Sequence, residues 1–459
     1  MSPQEVLDHT DRLRRSLGVD FRDRMVTSLY EESRRIAARA VRRHGESRWD
    51  FDQRIDRLVT SPAWGLPLML LLLALVFWIT IVGANYPSQW IARLLFSIES
   101  AGAGLFEAIG LPWWVTGLIW HGVWRSLAWV VSVMLPPMAI FFPLFTILED
   151  LGYLPRVAFN LDWLFHKAGA HGKQALSMAM GFGCNAAGVI STRIIDSPRE
   201  RLIAILTNNF VPCNGRFPTL IMLGTLFVGA AFPPALASVA AAGSVVAVVL
   251  IGAGFTLFVS WLLARTVLRG QASAFTLELP PYRRPSVLRI LYTSLIDRTA
   301  FVLFRAAVIS APAGALIWTL GNIHASGASL AQHVAQFLDP FGRALGLDGV
   351  ILLAYIIAIP ANEIVVPTML MVYTGAGMMT EAGSLEQVRA ILVDARGWSL
   401  LTAVCLMLFS LLHNPCGTTI ATIWKETRSA RWTALGALMP LALAFLVTFL
   451  VASAARWLA

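Results

Sequence analysis

The chain has 459 residues, of which 57% are hydrophobic and 14% are charged, and its mean hydropathy is +0.66. Soluble proteins have about a quarter of their residues charged, so this composition excludes an ordinary water-soluble enzyme. The net charge of +9 would suggest nucleic-acid binding in a soluble protein. In a membrane protein, however, arginine and lysine collect in cytoplasmic loops. We therefore expect a membrane protein that lies in a lipid bilayer and binds no nucleic acid.

Residues 1–61 are polar and rich in charge, and they lack the apolar core of a signal peptide. Apolar residues recur there at helical spacing, as at Ile36 and Ala40, which predicts amphipathic helices. Pro62 then interrupts the helical pattern. The sequence predicts a cytoplasmic helical segment over residues 1–61, with the N-terminus in the cytoplasm.

Long apolar stretches follow, and a bilayer core of about 30 Å needs ~20 apolar residues in a helix. These stretches are continuous rather than alternating, which excludes a transmembrane β-barrel. The weaker stretch from Ile91 to Ile109 contains Glu99 and Glu107 and is a candidate for lying along or dipping into the membrane interface. We predict an all-α polytopic fold of about nine transmembrane helices, in the ranges 64–82, 127–147, 175–195, 202–232, 235–267, 301–320, 350–373, 400–424 and 434–452.

Four of the apolar segments are interrupted by polar residues, glycine or proline, and the interruptions pair between two halves of the chain. In the first half they carry Cys184 and Cys213, and in the second half Asn362 and Cys416. Corresponding interruptions in two halves indicate a transport site at a repeat interface. We divide the chain into the segment 1–61, a first membrane half at 62–298 with gate motif 1 at 181–218 and a connecting loop at 269–298, and a second half at 299–459 with gate motif 2 at 360–374 and 413–427.

The residue types at these interruptions favour a metal ion as the bound species. Proline cannot donate a backbone hydrogen bond, so free carbonyls and helix ends remain there. Thiolate is a soft ligand and amide or carbonyl oxygen is a hard one, a mixture that suits Fe(II), Zn(II) or Mn(II). A charged residue inside a membrane segment is a functional candidate by default. The candidate metal-contacting residues are Cys184, Cys213, Cys416, Asn185, Asn362, Glu363 and His413.

Packing is the alternative for each of these cysteines, because free cysteine behaves as a small buried hydrophobe. Cys405 lies in an unbroken apolar run, and there we expect packing. For Glu363 the alternative is a salt bridge or a capping role that orders the broken helix, and for His413 it is a structural hydrogen bond.

Six stretches appear in the order LEDLGY, GFGCN, NNFVPCNGRFP, LELPPYR, ANEIV, and PC followed by KET, at residues 148–153, 181–185, 208–218, 277–283, 361–365 and 415–427. In this order they resemble the membrane domain of the bacterial ferrous iron transport protein B (FeoB) family. The resemblance implies paired gate domains of a ferrous iron importer in the bacterial cytoplasmic (inner) membrane. It places Cys184, Cys213 and Cys416 along the ion path, with Fe(II) as transported substrate and no cofactor.

The chain departs from the common family pattern in two motifs. Ala186-Ala187-Gly188 follows Cys-Asn where Val-Pro-Ala is commoner, and Pro-Ala-Asn-Glu occupies residues 360–363 where many members have a Lys-Glu pair. The chain therefore resembles a subgroup of the family.

FeoB proteins usually begin with a GTP-binding domain, which needs a Gly-x-x-x-x-Gly-Lys-Ser/Thr loop. The nearest match, at residues 171–174, lacks the hydroxyl that would hold magnesium. We therefore expect that the chain is not an enzyme and that a separate GTPase subunit docks on residues 1–60.

Other functions remain open from the sequence. They are transport of another divalent metal such as zinc or manganese, transport of a small solute, and a non-transporting membrane scaffold. His-Glu-x-x-His and Gly-x-Ser-x-Gly are both missing from the sequence, which argues against an intramembrane hydrolase. Whether the chain forms a homo-oligomer is also open.

Overall fold

The computed structural model describes residues 21–40, 48–61, 63–269, 282–283, 285–325, 327–380 and 384–458. It confirms the all-α fold, because the only strands in these ranges are the two-residue pair β1 (His324–Ala325) and β2 (Ala328–Ser329). The helices are α1 (Phe21–Ala40), α2 (Arg48–Val59), α3 (Gly65–Ala108), α4 (Trp113–Thr116), α5 (Arg125–Asp150), α6 (Tyr153–Lys167), α7 (Gln174–Gly183), α8 (Asn185–Ser191), α9 (Pro198–Thr207), α10 (Phe217–Leu223), α11 (Pro234–Arg265), α12 (Val287–Tyr292), α13 (Phe301–Asn322), α14 (Leu330–Ala344), α15 (Gly349–Ile357), α16 (Val365–Thr374), α17 (Leu385–Arg389), α18 (Leu400–Leu412), α19 (Gly417–Thr427) and α20 (Ala430–Leu458).

Short tighter or wider helical turns join several of these helices. The π-helical turns are Gly117–Trp124, Gly224–Val228, Thr293–Ala300 and Ala390–Ala395, and the 3-10 turns are Thr192–Ile194, Asn208–Phe210, Gly229–Ala231 and Asn362–Ile364. The boundary that the sequence predicts between the two membrane halves, at residues 298 and 299, lies inside the continuous helical stretch from α12 to α13.

Six described helical segments are long and apolar enough to cross a membrane, and α14 with α15, bent by 111°, would make a seventh. This is fewer than the nine predicted. The difference lies in the predicted spans 175–195, 202–232 and 350–373, each of which the structure divides into short helices around a break. Proline and extended backbone end helical hydrogen bonding there, so none of the three is one continuous helix.

The first membrane helix, α3, continues without interruption for 44 residues. At 1.5 Å per residue it is about 66 Å long, which exceeds the bilayer core. The stretch from Ile91 to Ile109 therefore does not lie along the interface as a separate element but extends this helix. Its buried Glu99 is paired with Nδ1 of His121 at 2.6 Å and Nε of Arg125 at 3.2 Å. The Glu99 carboxylate therefore has partners inside the protein and does not have to be exposed to water.

Residues 174–194 form a hairpin, here called hairpin 1, whose two ends lie on the same side of the molecule. The evidence is the ammonium of Lys173, which donates to the Ile194 carbonyl at 3.0 Å and to the Asp196 carboxylate at 2.9 Å. Each arm is ten residues or fewer, about 15 Å long. Each arm is thus long enough for about half of a bilayer core, and the chain turns at Cys184 and returns.

Residues 349–374 form hairpin 2, which has the same construction. The hydroxyl of Tyr373, at its end, donates to the carboxylate of Asp348, just before its start, at 2.5 Å. A 3-10 turn and extended Ala361 separate its two arms. The predicted span 350–373 therefore turns back instead of crossing.

Residues 198–231 and 400–427, here called broken span 1 and broken span 2, run in opposite directions between the two hairpin bases. Arg201, near the start of broken span 1, pairs with Glu426 at the end of broken span 2. At the opposite side, Phe227 and Trp398 have ring centroids 6.2 Å apart, and Trp398 contacts Tyr373 at the base of hairpin 2. The two halves thus form an inverted repeat, the arrangement in which transporters place a site at the repeat interface.

The outer helices separate this repeat from the surroundings. Only 17% of the most apolar window of α3 is buried, against 61% for broken span 2. Large apolar side chains such as Trp78, Leu250 and Leu450 are exposed on α3, α11 and α20. Exposed apolar belts of this size are typical of surfaces that face lipid.

The N-terminal helices have contrasting surroundings. Asp56 in α2 is bonded to the buried guanidinium of Arg156 at 2.9 and 3.1 Å and to the hydroxyl of Tyr282 at 2.9 Å. Burial raises the pKa of Tyr282 to about 12. Every described side chain of α1 is exposed. The structure therefore anchors α2 to the membrane part and leaves α1 open to solvent.

Candidate functional site

The tips of the two hairpins have the same backbone conformation. Cys184 has φ −155° and ψ 123°, and Ala361 has φ −152° and ψ 121°. Each is followed by an asparagine that begins a new helical turn, Asn185 or Asn362. The paired interruptions predicted from the sequence are thus equivalent positions of the repeat.

Each broken span is bonded to the tip of the hairpin in its own half. The backbone N–H of Asn214 donates to the Gly183 carbonyl at 3.4 Å, and that of Gly417 donates to the Ile359 carbonyl at 2.7 Å. Asn214 and Gly417 each follow the cysteine of a Pro-Cys pair. The two halves therefore build their breaks in the same way and bring the four breaks together.

A cavity of about 30 Å³ lies where the four breaks meet. Six of the seven predicted site residues line it: Cys184, Cys213, Cys416, Asn185, Asn362 and Glu363. The rest of the lining comes from α5, α13 and the breaks themselves, at Met134, Met138, Val302, Ala306, Gly183, Asn214, Gly215, Pro360, Ala361 and Thr418. A volume of this size accommodates roughly one water molecule, so the cavity suits a small species.

The carboxylate of Glu363 lies directly against the backbone of Gly215, since a Cβ added at Gly215 would overlap the carboxylate. Within the described part of the chain, Glu363 forms no ion pair. An intramembrane carboxylate without a countercharge is favourable for a cation that enters the cavity.

The cysteines of the breaks are free thiols, as is Cys405. Cys416 directly precedes α19, and its sulfur lies 3.2 Å from the hydroxyl of Thr419. The contact with Thr419 holds this sulfur at the N-terminus of the helix, and the thiolate is the form of cysteine that binds metal ions. Cys405, in contrast, is fully buried against Gly346 and Ala452 and does not line the cavity, which fits the packing role expected for it.

His413 lies behind the cavity wall instead of lining it. Its Nε2 is 3.2 Å from the side-chain oxygen of Asn362, its Nδ1 is 2.9 Å from the Ser410 carbonyl, and its ring packs 4.7 Å from that of Tyr355. Both ring nitrogens are thus engaged. In this arrangement His413 orients Asn362 and has no free nitrogen for a ligand.

The lining residues do not form a ready-made coordination shell. Across the residues that the structure describes, no group of three or more His, Cys, Asp or Glu side chains is close enough to hold a metal ion. A pathway has to bind an ion weakly enough to release it. The geometry therefore differs from that of a structural metal site.

Two residues of the first Pro-Cys stretch carry contacts that sequence reasoning did not assign. Arg216, only 1% exposed, donates to carbonyls of both halves, and Asn209 donates to the His413 carbonyl at 2.7 Å. The rule that singled out Glu363, a charge inside an apolar segment, would have found Arg216 as well. Its partners in the other half could not be found that way, because they lie about 200 positions along the chain.

Comparisons with known proteins agree with this architecture. The Gate family, described as nucleoside recognition, matches residues 131–227 and 303–430, which contain one hairpin and one broken span each. The family described as ferrous iron transport protein B C terminus matches residues 245–297. The Fe(2+) transporter FeoB of Staphylococcus aureus strain MSSA476 is 28% identical over 417 residues, covering 88% of this chain and 59% of that protein. The chain is thus similar to FeoB proteins, and it matches their membrane part.

Other FeoB proteins give similar matches. The Fe(2+) transporter FeoB of Synechocystis is 28% identical over 421 residues, covering 88% of this chain and 63% of that protein. A Fe(2+) transport protein A/FeoB fusion protein of Porphyromonas gingivalis is 28% identical over 449 residues, covering 87% of this chain and 51% of that protein. The chain thus spans between half and two thirds of the length of these relatives. No solved structure matches the chain.

Proposed function

We propose that the chain carries ferrous iron inward across the bacterial cytoplasmic membrane through the cavity between its two repeats. The observation that carries this proposal is the convergence of three thiols and one carboxylate, from both halves, on that cavity. Thiolates are ligands for borderline divalent ions, and Glu363 neutralises charge where the dielectric is low. The names of the relatives, Fe(2+) transporters, support iron as the ion.

The size of the cavity favours a metal ion over an organic solute. Pockets for small organic ligands occupy about 300–1,000 Å³, whereas this cavity has about 30 Å³. A nucleoside, which the description of the Gate family would suggest, does not fit in this conformation. Zinc and manganese do fit, and they remain the alternative substrates.

The distribution of basic residues supports a cytoplasmic N-terminus. The side of the molecule that carries the base of hairpin 1 is rich in lysine and arginine, and such sides face the cytoplasm. α2 is attached to this side through α6, whose Asp162 accepts from the Gly172 backbone next to hairpin 1. The basic residues there are Lys167, Lys173, Arg193, Arg199, Arg201, Arg265, Lys425, Arg428 and Arg431.

Fe(II) uptake by the purified chain in proteoliposomes, measured anaerobically, tests the proposal. Replacing Cys184, Cys213 and Cys416 together with serine removes the soft ligands and is expected to abolish most uptake. Cys405→Ser is the control, because Cys405 is also a buried free thiol but packs away from the cavity. Uptake by the triple variant at the wild-type rate would refute the thiol path. Faster uptake of Zn(II) or Mn(II) than of Fe(II) by the wild-type chain would identify that ion as the substrate instead.

We further propose that a separate GTPase subunit docks on residues 1–60. The support is the exposure of α1, which precedes the anchored α2 along the chain. Affinity capture with the full chain should recover a GTPase, and Asp56→Asn should weaken recovery by loosening α2. Capture of no GTPase, together with transport that no GTPase deletion alters, would contradict this partner.

A further inference from the structure

Arg216 is a fully buried arginine that spans the boundary between the two halves. One terminal nitrogen, Nη1, donates to the carbonyls of Asn209 at 2.9 Å and Leu411 at 2.7 Å. The other, Nη2, donates to the side-chain oxygen of Asn209 at 3.1 Å and to the carbonyls of His413 at 3.4 Å and Asn414 at 3.5 Å. Five neutral oxygens, three of them from broken span 2, therefore surround one guanidinium.

The three carbonyls of broken span 2 have no helical partner because the helix stops there, and that of His413 also accepts from the side-chain amide of Asn209 at 2.7 Å. α18 ends at Leu412, and Pro415 has no N–H to offer, so the last carbonyls of the helix have no helical partner. The C-terminal end of a helix is also the negative end of its dipole. A set of carbonyls without helical partners at a broken membrane helix is the type of site at which transporters bind a small cation.

The positive charge of Arg216 is not balanced by an acid. Of the described carboxylates, none pairs with its guanidinium, which stays charged at any physiological pH. A buried charge without compensation is strongly destabilising. Here the carbonyl dipoles and the helix end supply the compensation, as they would for a bound cation.

The guanidinium has no counterpart in the other half. Arg216 follows Cys213 by three positions, and the residue three positions after Cys416 is Thr419, whose hydroxyl contacts the sulfur of Cys416. Both broken spans have a Pro-Cys break, but only one of them has an arginine at this position. A Pro-Cys break therefore does not in itself require an arginine. The filled carbonyl site is thus a property of one repeat.

We propose that Arg216 is a tethered cation. Its guanidinium permanently occupies a carbonyl site on broken span 2 that would otherwise take a small monovalent cation such as Na⁺. It thereby joins the two broken spans without a bound ion. The wild-type chain accordingly needs no monovalent cation at this position, whichever substrate the neighbouring cavity carries.

The experiment empties the site and offers cations to it. Arg216→Gly is purified as the full chain in detergent, and its thermal unfolding is followed in sodium chloride, methylguanidinium chloride or choline chloride at equal ionic strength. We expect a midpoint below that of the wild type that rises with Na⁺ or methylguanidinium concentration, as for any ligand of the folded state, but not with choline. The wild type should unfold at the same temperature in sodium and choline.

Arg156→Gly is the matched control, because Arg156 is equally buried but pairs with Asp56 away from the breaks. It should lose stability without cation-specific recovery. If Arg216→Gly shows the same midpoint in all three salts, or if its recovery is matched by Arg156→Gly, the tethered-cation proposal is overturned.

A second pair of variants tests the tethered-cation proposal if Arg216→Gly does not fold. Arg216→Lys keeps the charge and Arg216→Met removes it at comparable length, so the lysine variant should give folded protein in higher yield and with a higher unfolding midpoint. Equal behaviour of the two, whether both fold or both fail, overturns the proposal. These readouts do not measure transport, so they stand or fall independently of Fe(II) uptake.

Discussion

Glu363 and Gly215 form a contact that joins the second hairpin to the first broken span. The carboxylate of Glu363 occupies the space where any side chain on residue 215 would begin. Only glycine at this position leaves the carboxylate in the cavity beside Cys213 and Cys416. The charge of the cavity thus depends on a residue of the other half.

Gly215→Ala should therefore act on transport like Glu363→Gln. The methyl group displaces the carboxylate, and the substitution to glutamine removes its charge. We expect each to reduce Fe(II) uptake at least about tenfold, which corresponds to about 1.4 kcal/mol of lost stabilisation. Gly254→Ala is the control, because a Cβ there meets open space. Wild-type uptake by Gly215→Ala would show that the carboxylate does not act from this position.

The two hairpins have similar tips but differ in how their bases are fixed. At hairpin 1 the contact between Lys173 and Asp196 is at the surface, with the Asp196 side chain 76% exposed. At hairpin 2, Asp348 accepts from the Tyr373 hydroxyl and from the N–H of Ile351 at the start of α15. The base of hairpin 2 thus combines a helix cap with a partly buried hydrogen bond between side chains.

Asp348→Ala should accordingly destabilise the protein more than Asp196→Ala. Losing a helix cap costs about 1 kcal/mol and losing a hydrogen bond to a charged group costs about 1.5–3 kcal/mol, whereas exposed ion pairs contribute up to about 1 kcal/mol. Denaturant unfolding in detergent, followed by circular dichroism, measures both variants. Equal losses of unfolding free energy would mean that the two bases contribute equally to stability.

The Lys173–Asp196 contact also has a pH dependence of defined sign. The Lys173 ammonium, which donates to the Asp196 carboxylate, holds the pKa of that carboxyl below its usual range. The contact therefore stabilises the folded state above the ordinary carboxyl pKa, and this contribution is lost as the pH falls through the lowered value. Asp196→Asn should remove this acid-side dependence from a profile of unfolding midpoint against pH, while an unchanged profile would exclude the contribution.

At the scale of the whole molecule, the two halves meet in an ion-pair cluster on the side of the hairpin 1 base. Glu426 at the end of broken span 2 pairs with Arg193 at 2.6 Å and Arg201 at 3.2 Å, both from the first half. Transport through an inverted repeat requires the halves to move against each other. The cluster is therefore placed to hold the molecule closed on this side.

Glu426→Gln should loosen that closure and expose the cavity from this side. Charge-assisted hydrogen bonds contribute about 1.5–3 kcal/mol, so we expect labelling of Cys416 by a membrane-impermeant maleimide, in vesicles with this side outward, to speed up about tenfold. Asp196→Asn, on the same side but within one half, should leave the labelling rate unchanged. Slow labelling of Glu426→Gln would show that other contacts keep the halves closed.

Several features could be predicted from the sequence because they depend on local chemistry. Composition alone places the chain in a membrane as helices, since no other backbone satisfies its hydrogen bonds there except a closed barrel. Proline, glycine and polar residues in apolar segments mark the breaks wherever the chain folds. For this reason the residue types alone single out Cys184, Cys213, Cys416 and the residues beside them, although their role as metal ligands stays a prediction.

Only the tertiary structure decided which broken segments cross the molecule and which turn back. A single extended residue such as Cys184 or Ala361 ends a helix but does not set the direction of the next one, and packing against the other half does. For the same reason sequence reasoning could not place His413 behind Asn362 or surround Arg216 with carbonyls from the other half. Local breaks are set by residue type, whereas the partners that satisfy them lie about 200 positions away and are set by how the two repeats close on each other.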